Sequence, residues 1–147
     1  MTASFESIFV EVVMGKNITY IVDCIYRPLE TNVDLFLTYL DKIIRLISKK
    51  RQKCYILGDV NIDLLKYETD TRSNELLDTF ATRSFFLIIT RPPRITRHSA
   101  TLIDNIFTNE TAFSNIKTRI IYSSISDHLP IVLISDIDRP RCNDLPK

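Results

Sequence analysis

Three polar clusters stand within or at the ends of apolar runs: Gly58-Asp59-Val60-Asn61, Ile103-Asp104-Asn105 and Ser126-Asp127-His128. Carboxylates, an amide and an imidazole gathered at the edges of neighbouring strands are the equipment of metal-assisted phosphoryl transfer. Oxygen ligands suit Mg2+ or Mn2+, a carboxylate can align a water, and a histidine beside a carboxylate can meet charge developing on phosphorus. Singly, each cluster has a plainer explanation, because an Asp or Asn after a buried strand is commonly a turn or cap residue. Their joint order and spacing point to chemistry.

The elements that must position these clusters follow from periodicity. Phe5–Val13 alternates as a strand does, Met14–Asn17 reads as a turn and Ile18–Tyr26 as a second strand, an antiparallel hairpin that ends where Arg27-Pro28 breaks pairing. From Val33 to Lys50 apolar residues recur at helical spacing, with Asn32 placed to cap the start and Lys49, Lys50 and Arg51 opposing the negative end of the macrodipole. Tyr55–Leu57 is a short buried strand that delivers Asp59 to its C-terminal edge. Ser73–Arg83 reads as a second helix, Phe85–Ile89 as a buried strand, and Leu102–Thr108, Ile116–Tyr122 and Leu129–Ile134 as three more β-rich runs. Helices and strands alternate early and strands dominate late, so the expected class is α/β or α+β with a mixed sheet. Residues 1–135 form the expected domain, and 136–147 a polar tail or linker.

The 147 residues suit one domain with a single core. A hydrophobic fraction of 45% against 25% charged residues excludes a disordered or membrane-embedded chain. Nineteen basic and eighteen acidic residues leave a net charge of +1, so any contact with a polyanion must be local. Cys24, Cys54 and Cys142 have neither disulfide-framework nor zinc spacing. Cys24 and Cys54 sit in apolar runs and are expected to be buried, reduced thiols of an intracellular protein. The N-terminus lacks a basic region and carries Glu6 and Glu11, which excludes a secretory signal, and no stretch approaches a membrane span. The segment Arg91–Ser99, with two prolines, three arginines and His98, is a rigidified basic loop. Arg91, Arg94 and Arg97 are therefore candidates for tracking a nucleic-acid backbone.

Four segments carry a family resemblance: Cys24-Ile25-Tyr26-Arg27-Pro28, Ile56-Leu57-Gly58-Asp59-Val60-Asn61-Ile62-Asp63, Thr101-Leu102-Ile103-Asp104-Asn105-Ile106-Phe107-Thr108-Asn109 and Ile125-Ser126-Asp127-His128-Leu129-Pro130-Ile131. Together they resemble the endonuclease/exonuclease/phosphatase superfamily, and within it the apurinic-endonuclease-like domain of jockey-type non-LTR retrotransposons (LINE elements). The resemblance implies the C-terminal part of a four-layer α/β sandwich, with mixed sheets flanked by helices. It implies a DNA-nicking phosphodiesterase that uses Mg2+ or Mn2+, acts in the nucleus, and is fused to or encoded beside a reverse transcriptase. By that resemblance Asp59 orients or deprotonates the attacking water, Asn61 holds the scissile phosphate or that water, and Asp127 faces the metal. His128 donates to a phosphate oxygen with Asp104 accepting from its far nitrogen, and Tyr26 touches the phosphate. Pro93 replaces a threonine that the family usually carries.

The family pattern also includes an earlier strand bearing an asparagine and, after it, a glutamate that is a principal metal ligand. Neither is found in this sequence, and Glu6 and Glu11 match a later family strand. Weak metal binding, impaired catalysis and an exposed apolar surface or unpaired edge are the expected consequences. The competing expectations are a catalytically inert mobile-element fragment that at most binds nucleic acid or a partner, and a phosphodiesterase of the same superfamily acting on a phosphoinositide or sphingolipid.

Overall fold

A computed structural model describes residues 5–14, 18–50 and 52–136. Strands β1 (Glu6–Met14) and β2 (Ile18–Tyr26) pair antiparallel over their full lengths. Helix α1 (Val33–Lys50) then carries the chain back, so that β3 (Lys53–Asp59) lies parallel to β2. After a 3-10 turn at Leu64–Lys66 and helix α2 (Thr71–Ala81), the short strand β4 (Phe86–Leu87) joins the far edge of the sheet. The basic segment folds into a small hairpin, β5 (Arg94–Ile95) with β6 (Ala100–Thr101). Strand β7 (Asp104–Thr108) enters the sheet between β3 and β4, antiparallel to both. The mixed sheet thus runs β1-β2-β3-β7-β4, and β8 (Ile116–Ile120) pairs with β9 (Ile131–Ser135) as a separate hairpin. This is the α/β class with a mixed sheet that the periodicity predicts.

Each helix forms where its apolar stripe and its cap agree. Asn32 Oδ1 accepts from the Leu35 N–H at 3.1 Å, and Phe36, Leu37, Leu40, Ile43, Ile44 and Ile47 are all buried. Helix α2 begins two residues before the predicted start because Asp70 caps it, accepting from Ser73 N at 2.9 Å. Those stripes cover the sheet face that carries Ile21, Ile25, Cys54, Ile56 and Phe107, forming one continuous core. Phe80 stacks on Phe107 with ring centroids 3.7 Å apart. Full burial of a side chain such as Phe36, Leu40 or Ile44 contributes about 1.5–3 kcal/mol. The β8/β9 hairpin meets the opposite face, where Tyr55 and Ser135 hydroxyls lie 2.8 Å apart.

Several expectations need correction. Cys54 is buried, but Cys24 is exposed, because alternation puts it on the sheet face opposite the helices. Phe85–Ile89 yields only the two-residue strand β4, with Phe85 and Ile89 buried as flanks. Leu102 and Ile103 lie outside β7, since their carbonyls accept from Leu64 N and Val60 N instead of from a strand. On the edge strand β1, Ile8 (67%), Val10 (50%) and Val13 (65%) stay exposed, which agrees with the expected apolar surface. Cys142, Asn17, Arg51 and the expected tail after Asp136 lie outside the described residues.

Candidate active site

Three strands end together at one edge. Tyr26 of β2 pairs in register with Asp59 of β3, and Asp59 pairs with Asp104 of β7, so the three side chains rise on one face in adjacent rows. Gly58 makes that edge possible. Its φ of 148° is one that L side chains rarely adopt, and a Cβ there would overlap the carbonyl oxygen of Ile25.

The loops beyond the strand ends are held by a buried cation. Arg27 is only 3% exposed, and its guanidinium donates to the carbonyl oxygens of Val60 (2.6 Å), Asn61 (2.9 Å) and Thr31 (3.0 Å). Burial lowers its pKa, while nearby Asp59 opposes that shift. Asn61 completes the link: at φ 50° its N–H donates to Asp59 Oδ1 (2.9 Å) and its Nδ2 donates to Arg27 O (2.8 Å). The left-handed backbone is one that asparagine tolerates. Arg27 thereby welds the exit of β2 to the exit of β3, a role that the sequence reading missed.

His128 comes from the loop before β9 and reaches the same edge. Its Nδ1 lies 2.9 Å from Asp104 Oδ2, and ligand atoms of Asp59, Asp104 and His128 all fall within 4.8 Å of one another. Burial first, and then the charge of Asp59, push the Asp104 carboxyl above the ordinary range, partly offset by His128. A divalent cation would relieve that crowding, and the carboxylate oxygens are the kind of ligand a hard ion takes, while His128, hydrogen-bonded to Asp104, is not.

The remaining predicted residues are distributed around this centre. Tyr26 is 46% exposed at the same edge. Asp127 precedes His128 but turns its carboxylate to Arg94, whose Nε donates to Oδ2 at 2.9 Å, and this bond holds its pKa below the usual carboxylate range. It therefore lies outside the three-residue cluster, and Arg94 is engaged as its partner. Backbone bonds from Ile95 N to Asp127 O and from Leu129 N to Pro93 O fasten the basic segment to the His128 loop. Arg97 and His98 occupy the exposed tip of the β5/β6 hairpin, and Arg91 is exposed before it. Asp63 and Asp70 act structurally: Asp63 Oδ1 accepts from Leu65 N and Leu102 N, and Asp70 caps α2.

The mixed α/β sheet flanked by helices is the fold of an endonuclease/exonuclease/phosphatase-superfamily protein. The chain belongs to the endonuclease-reverse transcriptase family, whose model matches residues 20–132. The fold is similar to that of the endonuclease domain of TRAS1, a telomere-specific non-LTR retrotransposon, with a TM-score of 0.72, 19% identity, and coverage of 90% of this chain and 64% of that one. It is also similar to Staphylococcus aureus beta toxin, in a structure with bound magnesium ions (TM-score 0.60, 13% identity, 88% of this chain and 57% of that one). An AP endonuclease from Archaeoglobus fulgidus matches as well (TM-score 0.56, 12% identity, 80% and 62%). The chain spans less than two thirds of the length of each of these proteins. No curated protein matches its sequence. Among the described residues, no helix is long and apolar enough to cross a membrane.

Proposed function

We propose that the Asp59–Asp104–His128 edge is the phosphodiester-hydrolysing centre of a divalent-metal-dependent DNA endonuclease of the retrotransposon type. The observation that carries this reading is convergence: three groups from β3, β7 and the β9 approach, distant in sequence, lie within 4.8 Å of one another. Asp59 aligns or deprotonates the attacking water. Asn61 and Tyr26 border the position of the scissile phosphate, and His128 donates to a phosphate oxygen while Asp104 fixes its ring. Asp127, once released from Arg94, together with the neighbouring Asp59 would hold Mg2+ or Mn2+, which when bound supplies Lewis-acid stabilisation of the phosphoryl oxygens. So few protein ligands make that ion weakly held, and catalysis by this chain correspondingly slow. DNA is the substrate, a nuclear setting and a reverse transcriptase partner follow from the same reading, and residues 1–135 act as its catalytic unit.

Nicking of supercoiled plasmid in Mg2+ or Mn2+, with EDTA and the Asp59→Ala and His128→Ala variants as controls, tests this. Expected is slow nicking abolished by each control. Undiminished nicking by both variants would remove the cluster from the chemistry. Complete inactivity of the wild-type chain with retained DNA binding favours the competing reading, an inert mobile-element domain with a binding role, which the Asp127–Arg94 pairing already favours by withdrawing one carboxylate from the metal.

A further inference from the structure

The exit of β4 and the side of β8 border a cleft of about 380 Å³. Its lining includes Arg91, Thr90, Thr118 and Arg119, whose Nη1 donates to Thr118 O at 2.9 Å, over an aliphatic floor that includes the buried Ile89. Among the described residues, the lining contains no carboxylate. Two arginines and two hydroxyl residues bordering an apolar floor, with no acceptor of full negative charge, are complementary in charge to an anion with several oxygens. Guanidinium forks match phosphate geometry in particular. Arg94, the more conspicuous arginine beside the cluster, is paired with Asp127 and so does less here than its position suggests.

The cleft is tied to the reactive edge on both sides. Arg91 precedes Arg94 by the Pro92-Pro93 spacer, and at about 3.1 Å per extended residue that distance is roughly 9 Å. On the other wall, β8 runs into Ile121, whose N–H donates at 2.9 Å to the carbonyl of Pro130, two residues beyond His128. A strand whose scissile phosphate lies at His128 would therefore carry a neighbouring phosphate past the cleft.

We infer that the Arg91–Arg119 cleft is a second phosphate subsite that holds the nucleic-acid backbone beside the scissile position. The inference rests on the endonuclease reading and adds to it a binding role for Arg119, Thr90 and Thr118. Its ligand is the phosphodiester backbone, read without base contacts, so the subsite contributes affinity and register but no sequence preference.

The test is the salt dependence of binding to a short fluorescein-labelled duplex, followed by anisotropy in EDTA so that nothing is cleaved. Each lost phosphate contact lowers the slope of log K against log salt by about 0.9, so Arg91→Gln/Arg119→Gln should lower it by about 1.8 and each single variant by about 0.9. Arg45→Gln, on the exposed side of α1, should leave the slope at the wild-type value. Far-UV melting checks that each variant is folded, and the single variants decide the matter if the double variant is not. A wild-type slope in folded variants of a chain that still nicks plasmid overturns the cleft assignment and leaves the endonuclease reading intact. A wild-type chain that neither binds nor nicks DNA overturns both.

Discussion

His128 Nδ1 lies 2.9 Å from Asp104 Oδ2, and Asp104 in turn sits directly across the sheet from Asp59. The ring is thus oriented by a carboxylate that is itself anchored in a strand. Asp104→Asn should preserve the fold and reduce plasmid nicking about 10–100-fold, the usual scale for losing an orienting partner. The loss should fall on kcat more than on KM. An unchanged cleavage rate would mean that the pairing takes no part in the reaction.

Arg94 competes with any cation for Asp127. Because the Arg94 bond holds the Asp127 carboxyl low and both groups are partly exposed, removing the guanidinium should strengthen Mn2+ binding by a modest factor, about 2–5-fold, in line with exposed ion pairs. Titration of Arg94→Gln with Mn2+ by electron paramagnetic resonance measures it. Equal affinities in wild type and variant would exclude Asp127 as a metal ligand.

Asp23 is fully buried, and only one of its oxygens is satisfied, by the Ser7 hydroxyl at 2.8 Å. Burial pushes its pKa up to about 6, against which the Ser7 bond works weakly. The folded state therefore binds this proton more tightly than the unfolded state does. The charged form opposes folding fully above pH 6, and the opposition fades as the pH falls from about 6 towards 4. Holding this carboxylate charged inside the fold near neutrality costs on the order of 2–3 kcal/mol. Thermal melts should show the wild-type Tm rising between pH 7.5 and pH 5.5, with a much flatter profile for Asp23→Asn. Parallel profiles would show that Asp23 is not the titrating group.

Gly58 admits no side chain. A Cβ would strike the backbone of Ile25 and sit at a φ that costs about 1–3 kcal/mol by itself, so Gly58→Ala should lower stability by at least that much in urea unfolding. Nicking should fall with it, since β2 and β3 could no longer bring Tyr26 and Asp59 side by side. A variant as stable as wild type would mean that the two strands leave room for a methyl group at this point.

Much of this was legible from residue order. The Val33–Lys50 helix and its Asn32 cap followed from spacing, and the two carboxylates and the histidine were found by their positions after apolar runs. Sequence could not reveal Arg27, because a buried guanidinium is recognised only by the four carbonyls that surround it, those of Pro28, Thr31, Val60 and Asn61, which come from two separate loops. Nor could it tell the two faces of β2 apart: Asp23 interrupts the helix-covered face, so Cys24 among its apolar neighbours looked like the buried one. Arg119 was hidden for a similar reason, since its partner across the cleft is 28 positions earlier in the chain.

The in-register row of Tyr26, Asp59 and Asp104 has a practical consequence for anyone handling this chain. Strand side chains alternate with a period of two, so a slip of β3 by one residue would swing Asp59 towards the helices and Gly58 towards solvent. On the proposed endonuclease reading, cleavage would be a register-sensitive reporter: a preparation with native helix content but one misaligned strand would look intact by circular dichroism and be silent in the assay.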